Sequence, residues 1–287
     1  MKYSKLIQFA VLFAFLISVS SAQSFMFSTK PSDNTQITAK YLHPFYKDDN
    51  FFYGDIKRSA TIYSLQIDGP ITPALNLIVL ANFTNYSYKA NYSYMSITRE
   101  ENYSKTAFGN IYLALQFARS RMNSSAVNFE FGVYLPSASE EDYLPLSAGT
   151  YADHYYSPKY APKVFTINLI TSKWSNVTEL FNWGFEAGPV VMIPTNSQSG
   201  NSVIMIRFGI GTSINIQNIS VLAEFNGIMQ ASESAGNFSD RFLNTFGLGA
   251  GYRFGQITPQ LYYKIDFNDY MKSIQTGVLG IKVNAEL

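Results

Sequence analysis

The sequence predicts an all-β chain, an antiparallel transmembrane β-barrel of about twelve strands, with short periplasmic turns and long extracellular loops. Three observations predict it. Segments of alternating apolar and polar residues recur along the chain, joined by connections that alternate between short and long. Charged residues are only 14% and aromatic residues 16%, against about 25% charged residues in ordinary soluble domains. The chain opens on a stretch that reads as a secretory leader, and it has no Cys.

The leader carries Lys2 and Lys5, an apolar run from Leu6 to Val19, and then Ser20-Ser21-Ala22. The run is shorter than the roughly 20 residues of a spanning helix, so cleavage after Ala22 is expected. Residues 1–22 are then a signal peptide and residues 23–287 one barrel domain. Without Cys there is no site for a lipid anchor, and the lack of disulfides is unusual for a eukaryotic secreted protein. A net charge of +1 gives no reason to expect nucleic acid as a partner. Eight N-x-S/T sequons occur, at Asn82, Asn85, Asn91, Asn102, Asn123, Asn176, Asn218 and Asn237. They read as by-products of an Asn- and Ser-rich chain, because Asn82 and Asn218 fall in or beside expected strands.

The expected strands are 35–42, 59–68, 74–84, 108–119, 125–134, 163–172, 181–192, 202–213, 217–229, 242–253, 257–266 and 274–286. The last alternates most clearly: Leu279, Ile281, Val283, Ala285 and Leu287 face one way, and Gly280, Lys282, Asn284 and Glu286 the other. In 125–134, Val127, Phe129, Phe131 and Val133 oppose Asn128, Glu130, Gly132 and Tyr134. In 257–266, Ile257, Leu261, Tyr263 and Ile265 oppose Thr258, Gln260, Tyr262, Lys264 and Asp266. The short connections are Gly69–Pro73, Ser120–Ser124, Lys173–Leu180, Ile214–Ile216 and Gly255–Gln256. The long ones are His43–Arg58, Asn85–Ala107, Leu135–Pro162, Ile193–Asn201, Gln230–Arg241 and Phe267–Ser273. No segment outside the leader shows a helical period.

An Arg or Lys at the lipid midplane costs roughly 2–4 kcal/mol, so charges within strands should point inward. The lumen-lining candidates are Lys40, Arg207, Arg253, Lys264 and Lys282 on the basic side, and Asp68, Glu130, Glu186, Glu224, Asp266 and Glu286 on the acidic side. Paired across the interior they would form a polar plug, and unpaired they would line a small aqueous pore. Aromatic residues near strand ends and in loops, among them Phe51, Phe52, Tyr53, Tyr86, Tyr88, Tyr92, Tyr94, Trp174, Trp183 and Phe254, read as an interfacial girdle. The Tyr- and Asn-rich stretch Asn82–Tyr103 has a second reading, as a surface that stacks on sugars or a hydrophobic solute.

Chemistry-bearing constellations are few. The two His, His43 and His154, fall in expected loops. Asp153-His154 matches the residue types of a barrel protease, and Glu140-Glu141-Asp142 and Asp48-Asp49 those of a hard-metal site. All three read as solvated loop charges. Zinc spacing and a Gly-rich phosphate cradle are missing, so no cofactor, no metal and no catalysis is expected.

Four stretches resemble the outer-membrane barrel family labelled for the meta-pathway of phenol degradation. They are Gly109-Asn110-Ile111-Tyr112-Leu113, Gly132-Val133-Tyr134-Leu135-Pro136-Ser137, Gly247–Gly255 and Pro259–Ile265. The resemblance runs over about 108–287; Asn82–Tyr103 departs from it, and Leu287 stands where many such barrels end in Phe. It implies uptake of small hydrophobic or aromatic compounds across a bacterial outer membrane. The expected partners are outer-membrane lipids, the barrel-assembly machinery and a small-molecule solute. The function expected is a passive channel or transport barrel, with a closed structural or surface-binding barrel acting through its loops as the alternative. A soluble secreted β-sandwich is the alternative fold.

Overall fold

The computed structural model describes residues 34–47, 49–51, 54–94, 97–119, 125–178, 180–196, 201–232 and 241–287. The expected signal peptide 1–22, the sequons at Asn123 and Asn237, and Asp48, Phe52 and Tyr53 lie outside them.

The chain forms β1 (Gln36–Tyr46), β2 (Asp49–Phe51), β3 (Gly54–Thr72), β4 (Leu75–Tyr94), β5 (Ile97–Phe108), β6 (Ile111–Arg119), β7 (Ser125–Leu135), β8 (Val164–Asn176), β9 (Phe181–Pro194), β10 (Val203–Ile216), β11 (Ile219–Gln230), β12 (Phe242–Tyr252), β13 (Ile257–Asp266) and β14 (Gln275–Glu286). Each wall strand pairs antiparallel with its neighbour. β1 closes the ring by pairing with β14, Lys40 opposite Lys282, and with β3, Tyr41 opposite Tyr63. β5 and β6 are two halves of one wall strand along β4, with Phe108 opposite Phe83 and Tyr112 opposite Leu80, interrupted at Gly109–Asn110. Counted so, the wall is a closed barrel of twelve strands, as the sequence predicts.

Period-two patterning builds the wall. On β10, Ile204, Ile206, Ile210, Ile214 and Ile216 are exposed, while Met205, Arg207, Ser213 and Asn215 are buried. Leu65, Ile67, Phe129, Phe131, Leu169, Val221, Leu248, Leu261 and Ile281 continue the outer apolar surface. A soluble protein rarely leaves so much contiguous apolar area in water. The β8–β9 ladder is broken opposite Gly188–Pro189, where proline has no N–H to donate. A shallow outer depression of about 390 Å³ lies there, between Phe129, Phe131, Leu169 and Pro189.

Three expectations are corrected. First, parts of 43–58 and most of 85–107 are strand rather than loop. β3 and β4 run for 19 and 20 residues, where a membrane strand needs about 9–11. With β5 they extend past the neighbouring strands as a three-stranded ribbon. Tyr alternating with Asn and Ser is as compatible with a pleated sheet as Leu alternating with Ser, and hydropathy alone does not register it. Secondly, Leu135–Pro162 is not an extended outer loop. It forms a 3-10 turn (Glu140–Asp142), a helix α1 (Tyr143–Ala152) and a 3-10 segment (His154–Tyr160). This segment folds into the barrel, where α1 packs against β1, β3, β4 and β5. Thirdly, α1 and the short helix Asp269–Ile274 are helices where none was expected. α1 carries no charge and buries Pro145, Leu146, Ala148, Gly149 and Ala152; a helix covered on several sides shows no one-sided period. Its core is shared with Leu42, Ala60, Ile62, Tyr86 and Ala107 of the wall.

The aromatic girdle is corrected at three positions. Trp174 and Tyr86 are each 8% exposed and belong to the inner core, and Tyr88 packs against it. Trp174 faces Gly184 across the β8–β9 pair, where a Cβ would lie 2.5 Å from the indole. Trp183 and Phe185 stack on the outside, their centroids 6.0 Å apart.

Candidate functional site inside the barrel

The inward segment is tied to the wall by backbone first. At the Gly109–Asn110 interruption the Asn110 N–H donates to the Lys159 carbonyl at 2.6 Å, and its side-chain amide donates to the carbonyls of Pro158 and Ala161. Asn110 Oδ1 accepts from Ala138 N–H at 2.9 Å. Gly109 is required here, since a Cβ would stand 2.5 Å from the Lys159 carbonyl and 2.0 Å from Asn82 Oδ1. The wall strand is thus opened at the point where the plug enters, and both groups of main-chain atoms are satisfied there. Asn82, a sequon residue, is wholly buried at this junction.

The chemical centre is Asp153, at the C-terminal end of α1 and 2% exposed. Three amino groups converge on its carboxylate: Lys40 of β1 at 3.5 Å, Lys159 of the plug at 3.4 Å and Lys264 of β13 at 3.2 Å. Lys264 also donates to the Ala152 carbonyl at 2.9 Å. Burial alone would raise the Asp153 carboxyl; the three lysines outweigh it and hold the group well below the usual carboxylate range. Burial pushes the Lys159 ammonium down, with Asp153 opposing. Tyr156 covers this centre, its ring 4.2 Å from Lys159 Nζ and 5.5 Å from Lys40 Nζ. Arg207 lies 5.0 Å from the rings of both Tyr155 and Tyr156. Its Nε stands 3.2 Å from Glu186 Oε1 in an ion pair, and the Tyr155 hydroxyl donates to the same carboxylate.

His154 is corrected from a solvated loop residue to a buried one, 3% exposed. Its Nε2 is 2.9 Å from Thr245 Oγ1 and its Nδ1 3.4 Å from Asp266 Oδ1. Burial lowers the imidazole below its ordinary value of 6.5, with Asp266 opposing. Thr245 also donates directly to Asp266 at 3.0 Å, so Asp266 holds both partners. A hydroxyl–imidazole–carboxylate row has the residue types of a nucleophilic relay. The cavity beside it, however, is about 10 Å³, room for about one water and none for a substrate.

The other sequence-derived candidates are spread around the wall. Asp68, Glu130, Glu186, Arg207, Glu224, Lys264, Asp266 and Lys282 are buried, Lys40 nearly so. Arg253 and Glu286 form a half-exposed pair of 3.6 Å beside the turns. Glu130 accepts from the Tyr112 hydroxyl, and Asp68 Oδ2 accepts from Gln66 at 3.2 Å. Lys282 sits in the field of Glu224 and Asp68. Lys40 and Lys264 thus meet a carboxylate of the plug, and Arg207 meets a neighbouring strand. Glu140 and Asp142 pair with Lys163 at 2.7 Å and Lys105 at 2.6 Å.

Sequence reasoning missed Lys159, Tyr155, Tyr156, Thr245 and Asn110 and misjudged Asp153 and His154. The available signal was composition: Tyr143–Ala152 has no charge, and His154–Tyr160 holds three Tyr and a Pro.

No protein-family model and no curated protein sequence matches the chain. Solved structures share its fold. An outer membrane channel from Pseudomonas putida F1 superposes with a TM-score of 0.60 at 10% identity, covering 93% of this chain and 100% of that one. The NanC porin superposes with a TM-score of 0.51 at 8% identity, covering 88% of this chain and 100% of that one.

Proposed function

We propose that the protein is a passive channel or transport barrel for small solutes in a bacterial outer membrane, with residues 136–163 forming a plug in its lumen. The observation that carries the reading is a polar interior without full protein pairing. Asn215 and Asn226 bury both polar side-chain atoms, and Thr166 its hydroxyl, without a protein partner. Buried polar groups are satisfied almost everywhere in folded proteins, so such atoms call for a hydrated interior. The wall strands turn a broad set of apolar side chains outward, which suits lipid, and the fold is shared with a channel and a porin. The resemblance over 108–287 adds small hydrophobic or aromatic compounds as the solute class. The well-packed helix α1 favours a second reading, a permanently closed barrel that acts through its outer ribbon.

Planar-bilayer recording separates the two. Lys264→Ala removes two of the plug's ties, to Asp153 and to the Ala152 carbonyl. Larger or longer conductance steps than wild type are expected from it. Wild type and variant both silent, in preparations whose gel migration shifts on heating, would leave the closed barrel.

A further inference from the structure

We infer that Asp153 occupies a carboxylate-binding site and stands in, as a tethered competitor, for a small organic carboxylate that the barrel admits. This deepens the proposed channel reading and rests on it. The site is built from two elements that meet only in the folded barrel. Lys40 and Lys264 come from the wall and Lys159 from the plug, and all three amino groups lie within 3.5 Å of one carboxylate. Lys282 lies opposite Lys40 on β14, between β1 and β13, so the wall carries lysines on three adjacent strands.

The nearby acids are already engaged. Glu186 serves Arg207 and Tyr155, and Asp266 serves Thr245 and Gln275. Three amino groups facing one carboxylate are more than a structural ion pair needs, and a seated anion offsets a desolvation cost that the Ala152 carbonyl and the Tyr156 ring meet only in part. A site so charged selects an anion over a cation or a neutral molecule. The aromatic lid of Tyr156, with Tyr155 edge-on at 5.1 Å, gives the organic body of such a solute an apolar face to lie on. The cavity beside Asp153 measures about 10 Å³, so its side chain fills the site and a solute enters only as the side chain leaves. Solute and plug then compete for the same lysines, and the solute opens its own path.

Benzoate is the probe, with benzyl alcohol as its uncharged counterpart. In the wild-type barrel, benzoate is expected to accelerate tryptic cleavage after Lys159, a buried bond, while benzyl alcohol does not. In Asp153→Asn, chloride current is expected to exceed potassium current, and benzoate should block it. Adding Lys40→Gln should weaken that block by about tenfold or more. Cleavage indifferent to benzoate, or a cation-selective Asp153→Asn channel, overturns the inference and leaves the channel standing. Wild type and Asp153→Asn both silent in bilayers, with heat-shifted migration intact, overturn the channel itself.

Discussion

At the scale of single residues, Asp153 and His154 decide how the plug responds to pH. A group whose folded pKa is lowered contributes stability above its ordinary value and loses it as pH falls through the folded one. Burial lowers His154 from 6.5, so its contribution is present above that value and declines below it. Asp153 behaves alike at lower pH: burial opposes, the lysines prevail, and its contribution is present above 3.8 and lost only in stronger acid. Amide exchange across Tyr143–Tyr160, corrected for its intrinsic rate, is therefore expected to quicken between pH 7 and about 5. His154→Gln should flatten that limb, and an unchanged slope would remove His154 from the account. Neither residue's burial was legible in the sequence. An adjacent Asp and His in a long connection look the same whether the connection faces solvent or turns back into a barrel, and only the return of the chain to Lys40 and Lys264 distinguishes them.

At the scale of elements, the wall strands were legible because lipid on one side and polar contents on the other impose a period of two. Residues 257–266 alternate without fault and form β13 with the expected bounds. α1 was not legible, because its environment is the inside of the barrel and its surroundings are similar on several sides. Nor was the division of one wall strand into β5 and β6, which depends on a contact with residues some 50 positions away. That division is testable. Gly109→Ala places a methyl against the Lys159 carbonyl and the Asn82 amide. The Lys159 carbonyl is backbone and the buried Asn82 amide is held by its bond to the Asn110 carbonyl, so a cost of about 1–3 kcal/mol is expected. It should fall on the plug rather than the wall, as protease sensitivity within 139–160 with heat-shifted migration preserved.

At the scale of the whole molecule, the barrel is an apolar outer surface around a charged and partly filled interior. Leu248, 54% exposed on β12, faces outward between Ala223 and Tyr263. Leu248→Arg is expected to destabilise the barrel in bilayers by about 2–4 kcal/mol if the residue lies near the midplane, and by much less near an interface; the urea midpoint of the gel shift measures it. The hub also has a bearing on assembly order. Lys159 is 6 residues from Asp153, but Lys40 is 113 and Lys264 111 residues away, toward opposite ends of the chain. Lys40 on β1 and Lys264 on β13 flank β14, on either side of the place where the ring closes. An open ring cannot hold all three lysines against Asp153 in this arrangement. The complete set is therefore a mark of a finished wall.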